Sequence, residues 1–287
     1  MYNAFDDPIG CGDRPKLVMT RTDNFTVSPL LNESPEIPSA YTSVTVESAA
    51  SALAEARRRA GAGTGEGTLI RVRIETDGRG RLGKPWQSGP GNLHCAVVLR
   101  PELDAMASAQ LGLVALVSLG SALSSLLSPM VSLRYRWPND LLLNTDKAAG
   151  VWLHGDFDAA GQAEWLAIGV SVNVASYPDD PNPGAVSIHE VEGNSEITAE
   201  RVLEVYSREL LRWLDRWSDE GLPPVLKKWK QRADGIGQRV SIDLAQGSVH
   251  GELTEVDATG AAVVTLADGS RRSLGLSEFF LDGTPKT

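Results

Sequence analysis

The 287-residue sequence has almost no cysteine: Cys11 and Cys95 only, with no CxxC spacing. That excludes a disulfide scaffold and makes a reducing, cytoplasmic setting the expectation. Histidine is nearly as scarce, at four residues. His154 and His189 lack partners at metal-ligand spacing, so no zinc centre is expected. His94 and Cys95 are neighbours whose side chains point to opposite faces of a strand, which speaks against a catalytic Cys–His pair. A basic excess is also missing. The chain carries 27 Lys and Arg against 37 Asp and Glu, a net charge of -10. That balance excludes a protein that coats DNA or an anionic membrane. Asp6, Asp7 and Asp13 fall where a signal peptide would need a basic start and an apolar run, so none is predicted.

One long stretch lacks charge altogether: the 29 residues from Ala105 to Leu133. A membrane span needs only about 20 apolar residues. This run, however, holds seven serines, Gln110, Gly112, Gly120 and Pro129. It fits a helix buried on most of its circumference in a soluble core.

The patterning that is present predicts a divided chain. Residues 1–38 mix Asp, Pro, Asn and Ser without periodicity and read as a poorly ordered lead-in. From Tyr41 an apolar alternation leads into Ser48 and an Ala-rich helix to about Arg59. Strand-like runs follow at Thr68 to Ile74 and Asn92 to Leu99, before the uncharged helix. Ser132 to Leu143 and Gly150 to Phe157 read as two strands around the turn Asn144 to Lys147, and Glu164 to Val174 as another. Tyr177 to Pro183 reads as a Pro/Asp-rich loop. Thr198 opens a strongly periodic helix ending at Gly221, and Val225, Leu226 and Trp229 mark a second, short one. Trp213, Trp217 and Trp229 lie at helical spacing and read as core. Beyond a boundary near Gly235, the runs RVSIDL, GELTEV, AAVVTL and SEFFL predict a small β-barrel of about five strands. The expected parts are thus a lead-in (1–38), a catalytic domain (39–235) and a C-terminal β domain (236–287).

Two stretches carry candidate chemistry. In Gly78-Arg79-Gly80-Arg81-Leu82-Gly83-Lys84-Pro85-Trp86, three glycines in six residues let the backbone approach a ligand and expose amide N–H groups. Arg79, Arg81 and Lys84 add partners for phosphate or carboxylate, and Trp86 offers a flat face. Between Arg71 and Arg100, six basic residues meet two acidic ones, a local +4 in an acidic chain. Alone, the stretch reads equally well as an arginine-bearing surface loop. The second stretch is Arg136-Trp137-Pro138-Asn139-Asp140, read as lying in a strand. Proline there implies an edge or bulge, and the Asn-Asp pair supplies acceptors for a metal or an adenine amine. Alone, it reads equally as a structural bulge. Lys147 follows across the hairpin turn, Gly150 allows close approach, and Asn173 interrupts an apolar strand.

Taken in order, GRGRLGKPWQS, GNLHCAVVLRP, RWPNDLLLNTDKAAGV and AIGVSVNV, then a helix and a small β domain, resemble the biotin protein ligases over roughly Tyr41 to Leu281. The resemblance implies an α+β fold: a mixed, mostly antiparallel sheet with helices packed on it, plus a small C-terminal SH3-like β-barrel. It implies a ligase without a DNA-binding domain. Such an enzyme activates biotin with ATP and Mg2+ as biotinyl-5'-AMP. It then transfers the acyl group to a lysine of the biotin carboxyl carrier protein or domain of acetyl-CoA carboxylase or a related carboxylase.

Carried over by motif, Gly78, Arg79, Gly80 and Arg81 would order over biotin and its adenylate. Lys84 would face the ATP phosphates and Trp86 would pack on adenine. Asn139 and Asp140 would hold adenine, phosphate or magnesium, with Asp140 as metal ligand and candidate base. Lys147 would touch the biotin carboxylate and the α-phosphate, Gly150 would line the biotin pocket, and Asn173 would approach adenine. Ser48 is the survivor of the family's Ser-Thr-Asn segment, here Ser48-Ala49-Ala50, and Glu75 or Thr76 stands where the family has Gln. Both departures lie on the acid side. They keep open a lipoate- or octanoate-type acyl-adenylate ligase, and a degenerate biotin or adenylate binder. No DNA or membrane partner is expected, and the oligomeric state is open, a homodimer included.

Overall fold

The computed structural model describes residues 35–178, 184–193 and 196–281. The expected lead-in is described only over 35–38, and residues 179–183 of the expected Pro/Asp-rich loop lie outside the described residues.

The chain runs β1 (Thr42–Ala49), α1 (Ala52–Gly61), β2 (Thr68–Glu75), β3 (Leu93–Leu99), α2 (Ala105–Leu126), β4 (Leu133–Arg136), β5 (Asp140–Leu143), β6 (Asp146–Phe157) and β7 (Ala163–Val172). It continues through α3 (Ile188–Glu192), α4 (Ala199–Glu220), α5 (Pro223–Lys230), β8 (Ala233–Asp234), β9 (Arg239–Leu244), β10 (Gly247–Val256), β11 (Ala262–Thr265), β12 (Arg271–Leu274) and α6 (Leu276–Phe280). Helices α1, α2 and α4 each start where a short polar side chain accepts a backbone N–H group. Ser51 caps α1 through Ala54, Asp104 caps α2 through Ala107, and Thr198 caps α4 through Arg201.

Strands β1 to β8 form one mixed sheet in the order β1-β2-β3-β7-β6-β5-β4-β8. Only β1/β2 and β4/β8 are parallel. The sheet has two different faces. On one, Cys95, Val97, Ile168 and Val170 pack with α2 and the inner face of α4 (Val202, Leu203, Tyr206, Leu210, Trp213) in the main core. Each fully buried side chain of this size contributes roughly 1.5–3 kcal/mol. Helix α2 is long and apolar enough to cross a membrane, yet 78% of its most apolar stretch is buried inside the protein. On the other face, Ala52, Ala56 and Ala60 of α1 pack on Ile70, Val72, Ala96 and Ala167. That cover lies mainly over β2, β3 and β7 and only grazes β6. The β6-β5 part of the same face is left for the site.

Strands β9 to β12 form a four-stranded antiparallel sheet. The SEFFL run is not a strand. Its first four residues lie in α6, where the buried residues Leu276, Phe279 and Phe280 sit at helical i, i+3, i+4 spacing. Phe280 presses on Gly112 of α2, where no larger residue would fit. Phe279 meets the ring of Trp137 edge-on, with centroids 5.3 Å apart.

The segment Ser132 to Leu143 is two strands rather than one. The residues Trp137-Pro138-Asn139 form a tight turn with a cis Trp137–Pro138 bond, and Arg136 then pairs with Asp140 across a hairpin. The backbone reverses there because proline supplies no N–H for a continuing ladder.

Candidate active site

The glycine-rich stretch folds as a short hairpin rising from the end of β2. Trp86 N–H donates to Gly78 O and Gly80 N–H to Lys84 O, each at 2.8 Å. The tip is a single 3-10 turn, Arg81–Gly83, with Leu82 at φ 53 and Gly83 at φ 71. Gly78 is required by space: a Cβ there would lie 2.5 Å from Trp86 O and 2.9 Å from Glu75 Oε2. Arg79 is held by Asp77 at 2.6 Å and by Gly83 O.

Opposite the hairpin, β5 and β6 present Asp140 and Lys147. The turn between them is tight, with Leu143 paired to Asp146 and Asn144 at φ 57. Asp140 pairs with Gly150 and Leu141 with Ala149, but Leu142 pairs with Lys147, so Ala148 is an extra residue in β6. Without this bulge the alternation of the strand would send Lys147 to the far face. With it, Lys147 shares a face with Asp140 and Gly150. Lys147 Nζ lies 2.6 Å from Asp140 Oδ1, both side chains about one-fifth exposed. The ammonium is also 5.1 Å from the Trp86 ring centroid and 5.9 Å from that of Trp152.

A cavity of about 680 Å³ opens here, lined by Gly80, Lys84, Trp86, Asn139, Asp140, Lys147, Trp152 and Asn173. Its far wall is β9, through Arg239, Ser241 and Asp243. Its size falls in the range of small-molecule sites, roughly 300–1,000 Å³. Asn139 donates from its side chain to Val151 O, which anchors the Trp-Pro-Asn turn on β6. Asn173 donates to Val186 O, while its Oδ1 is buried without a donor among the described residues. Lys84 reaches across to Asp243 at 2.8 Å.

Several sequence candidates stand apart from the cavity wall. Ser48 is exposed on β1, and Gly78, Arg79 and Gly150 do not line the cavity. Arg81 contributes its backbone to the hairpin tip. The local +4 also dissolves in the fold. Arg71 is buried against Glu200 at 2.6 Å, Arg73 pairs with Glu47, and Arg100 donates to the carbonyls of Ala60, Thr64 and Glu164. Of the five cations whose side chains are described (71, 73, 79, 84 and 100), Lys84 lines the cavity. Conversely, Trp152 and Asp243 were not singled out in the sequence. Trp152 was within reach, since a residue two beyond Gly150 in a strand shares its face. Asp243 carries no local signal.

Behind the hairpin lies a buried polar cluster. Glu75 Oε1 accepts from Ala52 N–H at 2.7 Å, and Glu75 Oε2 lies 3.4 Å from His94 Nδ1. His94 also meets Ser171 Oγ at 3.0 Å and Ser88 Oγ at 2.9 Å. Burial raises Glu75 to about 7 and lowers His94 to about 4. Cys95, facing the other way, is buried in the main core. Among the described residues no group of three or more His, Cys, Asp or Glu could hold a metal ion.

Residues 37–231 match the model of the biotin/lipoate A/B protein ligase family. The chain belongs to that family. It is similar to the biotin–[acetyl-CoA-carboxylase] ligase of Paracoccus denitrificans, 32% identical over 210 residues, which cover 72% of this chain and 87% of that one. The Mycobacterium tuberculosis ligase of the same name is 26% identical over 190 residues, covering 65% and 68%. The Aquifex aeolicus biotin protein ligase in complex with biotin and ATP has the same fold, with a TM-score of 0.69 at 23% identity, over 83% of this chain and 97% of that one. Within this ligase family fold, the cavity lies where the glycine hairpin, the β5–β6 hairpin and β9 converge.

Proposed function

We infer that the protein is a biotin protein ligase, acting on ATP, biotin and a lysine of a carboxylase carrier protein. The observation that carries the reading is the Lys147–Asp140 pair beneath the glycine hairpin, in a chain 32% identical to a ligase of that activity. In the first step a biotin carboxylate oxygen attacks the α-phosphorus of ATP. The bond from that phosphorus to the bridging oxygen of the β-phosphate breaks, and pyrophosphate leaves. In the second step the carrier lysine amine attacks the acyl carbon. The bond to the phosphate oxygen breaks, AMP leaves, and the amine proton passes to a base, for which Asp140 is the candidate.

The first step brings two anions together, so fixed cations must neutralise the developing charge. Lys147 and Arg81 take that part, and Lys84 leaves Asp243 to meet the outer phosphates. Pairing with Asp140 holds Lys147 in place before the anions arrive. Trp86 packs on adenine, and Asn173 Oδ1 is an acceptor for the adenine amine, with Asn139 beside it. Gly78, Arg79 and Gly80 close over the adenylate and exclude water, which would otherwise hydrolyse it. Ser48 and Gly150 belong to the acid end. Asp140, together with phosphate oxygens, would hold Mg2+, which supplies further charge neutralisation; Mg2+ sites commonly use one or two carboxylates plus phosphates. In this reading residues 39–235 perform the chemistry and 236–287 form the outer wall. The buried free thiol of Cys95 suits a cytoplasmic setting.

The test is acid-dependent ATP–pyrophosphate exchange, run with biotin and with lipoate, on the native protein and on Lys147→Ala. Biotin-dependent exchange is expected. Lys147→Ala should lower it at least about 10²–10³-fold, the scale of losing one transition-state charge partner, with an unchanged melting temperature. Exchange with lipoate and none with biotin would overturn the reading.

A further inference from the structure

Trp152 has no part in the chemistry above, yet it occupies the centre of the site. It lies two residues beyond Gly150 on β6 and therefore on the same face. Its ring covers Gly150, where a Cβ would come within 2.7 Å of it. The indole then reaches beneath the hairpin, with Nε1 3.9 Å from where a Cβ of Gly80 would be. It meets Trp86 edge-on, with centroids 5.2 Å apart and planes at 79°. The two rings flank the Lys147 ammonium.

Both indole N–H groups are buried and have no acceptor among the described residues. Elsewhere in the chain such groups are spent on protein oxygens. Trp137 donates to Gly260 O, Trp213 to Ser121 Oγ and Trp217 to Gln110 Oε1. Trp229 also lacks an acceptor, but it is enclosed in the main core and does not line the cavity. A buried donor left unpaired costs roughly 1–3 kcal/mol. At a cavity wall, a ligand oxygen recovers that cost. Trp86, Trp152 and Lys147 line one cavity, with Lys147 Nζ 5.1 and 5.9 Å from the two ring centroids, and three donors on one wall favour an oxygen-rich, anionic group.

We propose that Trp152 is a further ligand-contacting residue of the adenylation site. Its N–H donates to an oxygen at the junction of acid and α-phosphate, and its ring, with that of Trp86, fixes the Lys147 ammonium against that junction. The proposal rests on the ligase reading. The donor and the ring make separable contributions. Phenylalanine keeps an aromatic wall and removes the N–H, whereas leucine removes both.

The experiment measures biotin-dependent exchange for the native protein, Trp152→Phe and Trp152→Leu, normalised to active sites by the burst of biotinyl-AMP. Biotin binding alone is followed by calorimetry. Trp152→Phe should lower kcat/KM about 10-fold, the loss of one net hydrogen bond, and Trp152→Leu about 100-fold, at unchanged active-site content. Weaker binding of biotin alone assigns the donor to the carboxylate. Unchanged biotin binding with a lower kcat or a higher KM for ATP assigns it to the phosphate. Trp152→Phe within twofold of native in every constant would overturn the donor role. Trp152→Leu no worse than Trp152→Phe would overturn the role of the ring. If Trp152→Leu does not fold, the phenylalanine variant decides the proposal. Absence of exchange in the native protein would remove the ligase reading, and the proposal with it; a working native enzyme with an indifferent Trp152→Phe would remove the proposal alone.

Discussion

Replacing Glu75 by glutamine should change how stability depends on pH, by an amount the buried cluster sets. The Glu75 and His94 side chains are 5% and 2% exposed and 3.4 Å apart. Burial lifts Glu75 from 4.5 to about 7 and drops His94 from 6.5 to about 4, so both are neutral in the folded chain between those limits. At roughly 1.4 kcal/mol per pH unit, ionised Glu75 costs the folded state about 3 kcal/mol. The contribution of Glu75 is therefore fully present below pH 4.5 and lost as the pH rises through about 7. That of His94 runs the other way, present above pH 6.5 and lost as the pH falls through about 4. In the native chain the two slopes offset each other between about pH 4.5 and 6.5. Glutamine keeps an acceptor for Ala52 N–H and does not titrate. Relative to native, Glu75→Gln should gain about 3 kcal/mol between acid and about pH 8, and its own stability should now fall toward acid. Urea unfolding of both proteins across that range gives the difference directly. A difference that stays flat with pH would refute the reasoning, because Glu75 would then titrate as it does in the unfolded chain.

Two further substitutions test the outer wall. Lys84→Ala breaks an ion pair that is 69% and 37% exposed at its two ends, so stability should change by no more than about 1 kcal/mol. The KM for ATP should nevertheless rise about 10-fold, the size of one charge-assisted contact to phosphate; an unchanged KM would show that Lys84 stays with Asp243. Phe280→Ala empties the contact with Gly112 and should cost about 3–5 kcal/mol in urea unfolding. A loss under about 1 kcal/mol would mean that α6 packs loosely on α2.

Local signals in the chain were readable where one short-range cause dominates. The helix start at Thr198, the uncharged run of α2 and the apolar run of β7 each depend on residues a turn or a strand apart. The last C-terminal run misled because two adjacent phenylalanines favour strands, while the surface they cover on α2 asks for one face of a helix. The Trp-Pro-Asn-Asp segment misled in the same way, since its apolar flanks read as one strand and its hairpin pairing is a long-range choice.

The site divides along the same line. By itself, the sequence determined which groups are available: the glycines that let a hairpin close, the Lys147 and Asp140 charges, and the motif order that marks the family. Only the tertiary structure decided which of them meet. A one-residue bulge at Ala148 turns Lys147 onto the face of Asp140. The glycine hairpin folds Trp86 edge-on against Trp152 of β6, and β9 brings Asp243 to Lys84 from 159 residues away. The same long-range packing draws Arg71, Arg73 and Arg100 away to structural partners. Charge counted along a chain is a sum over neighbours in sequence, whereas the field in a cavity is set by which side chains the sheet register turns toward it.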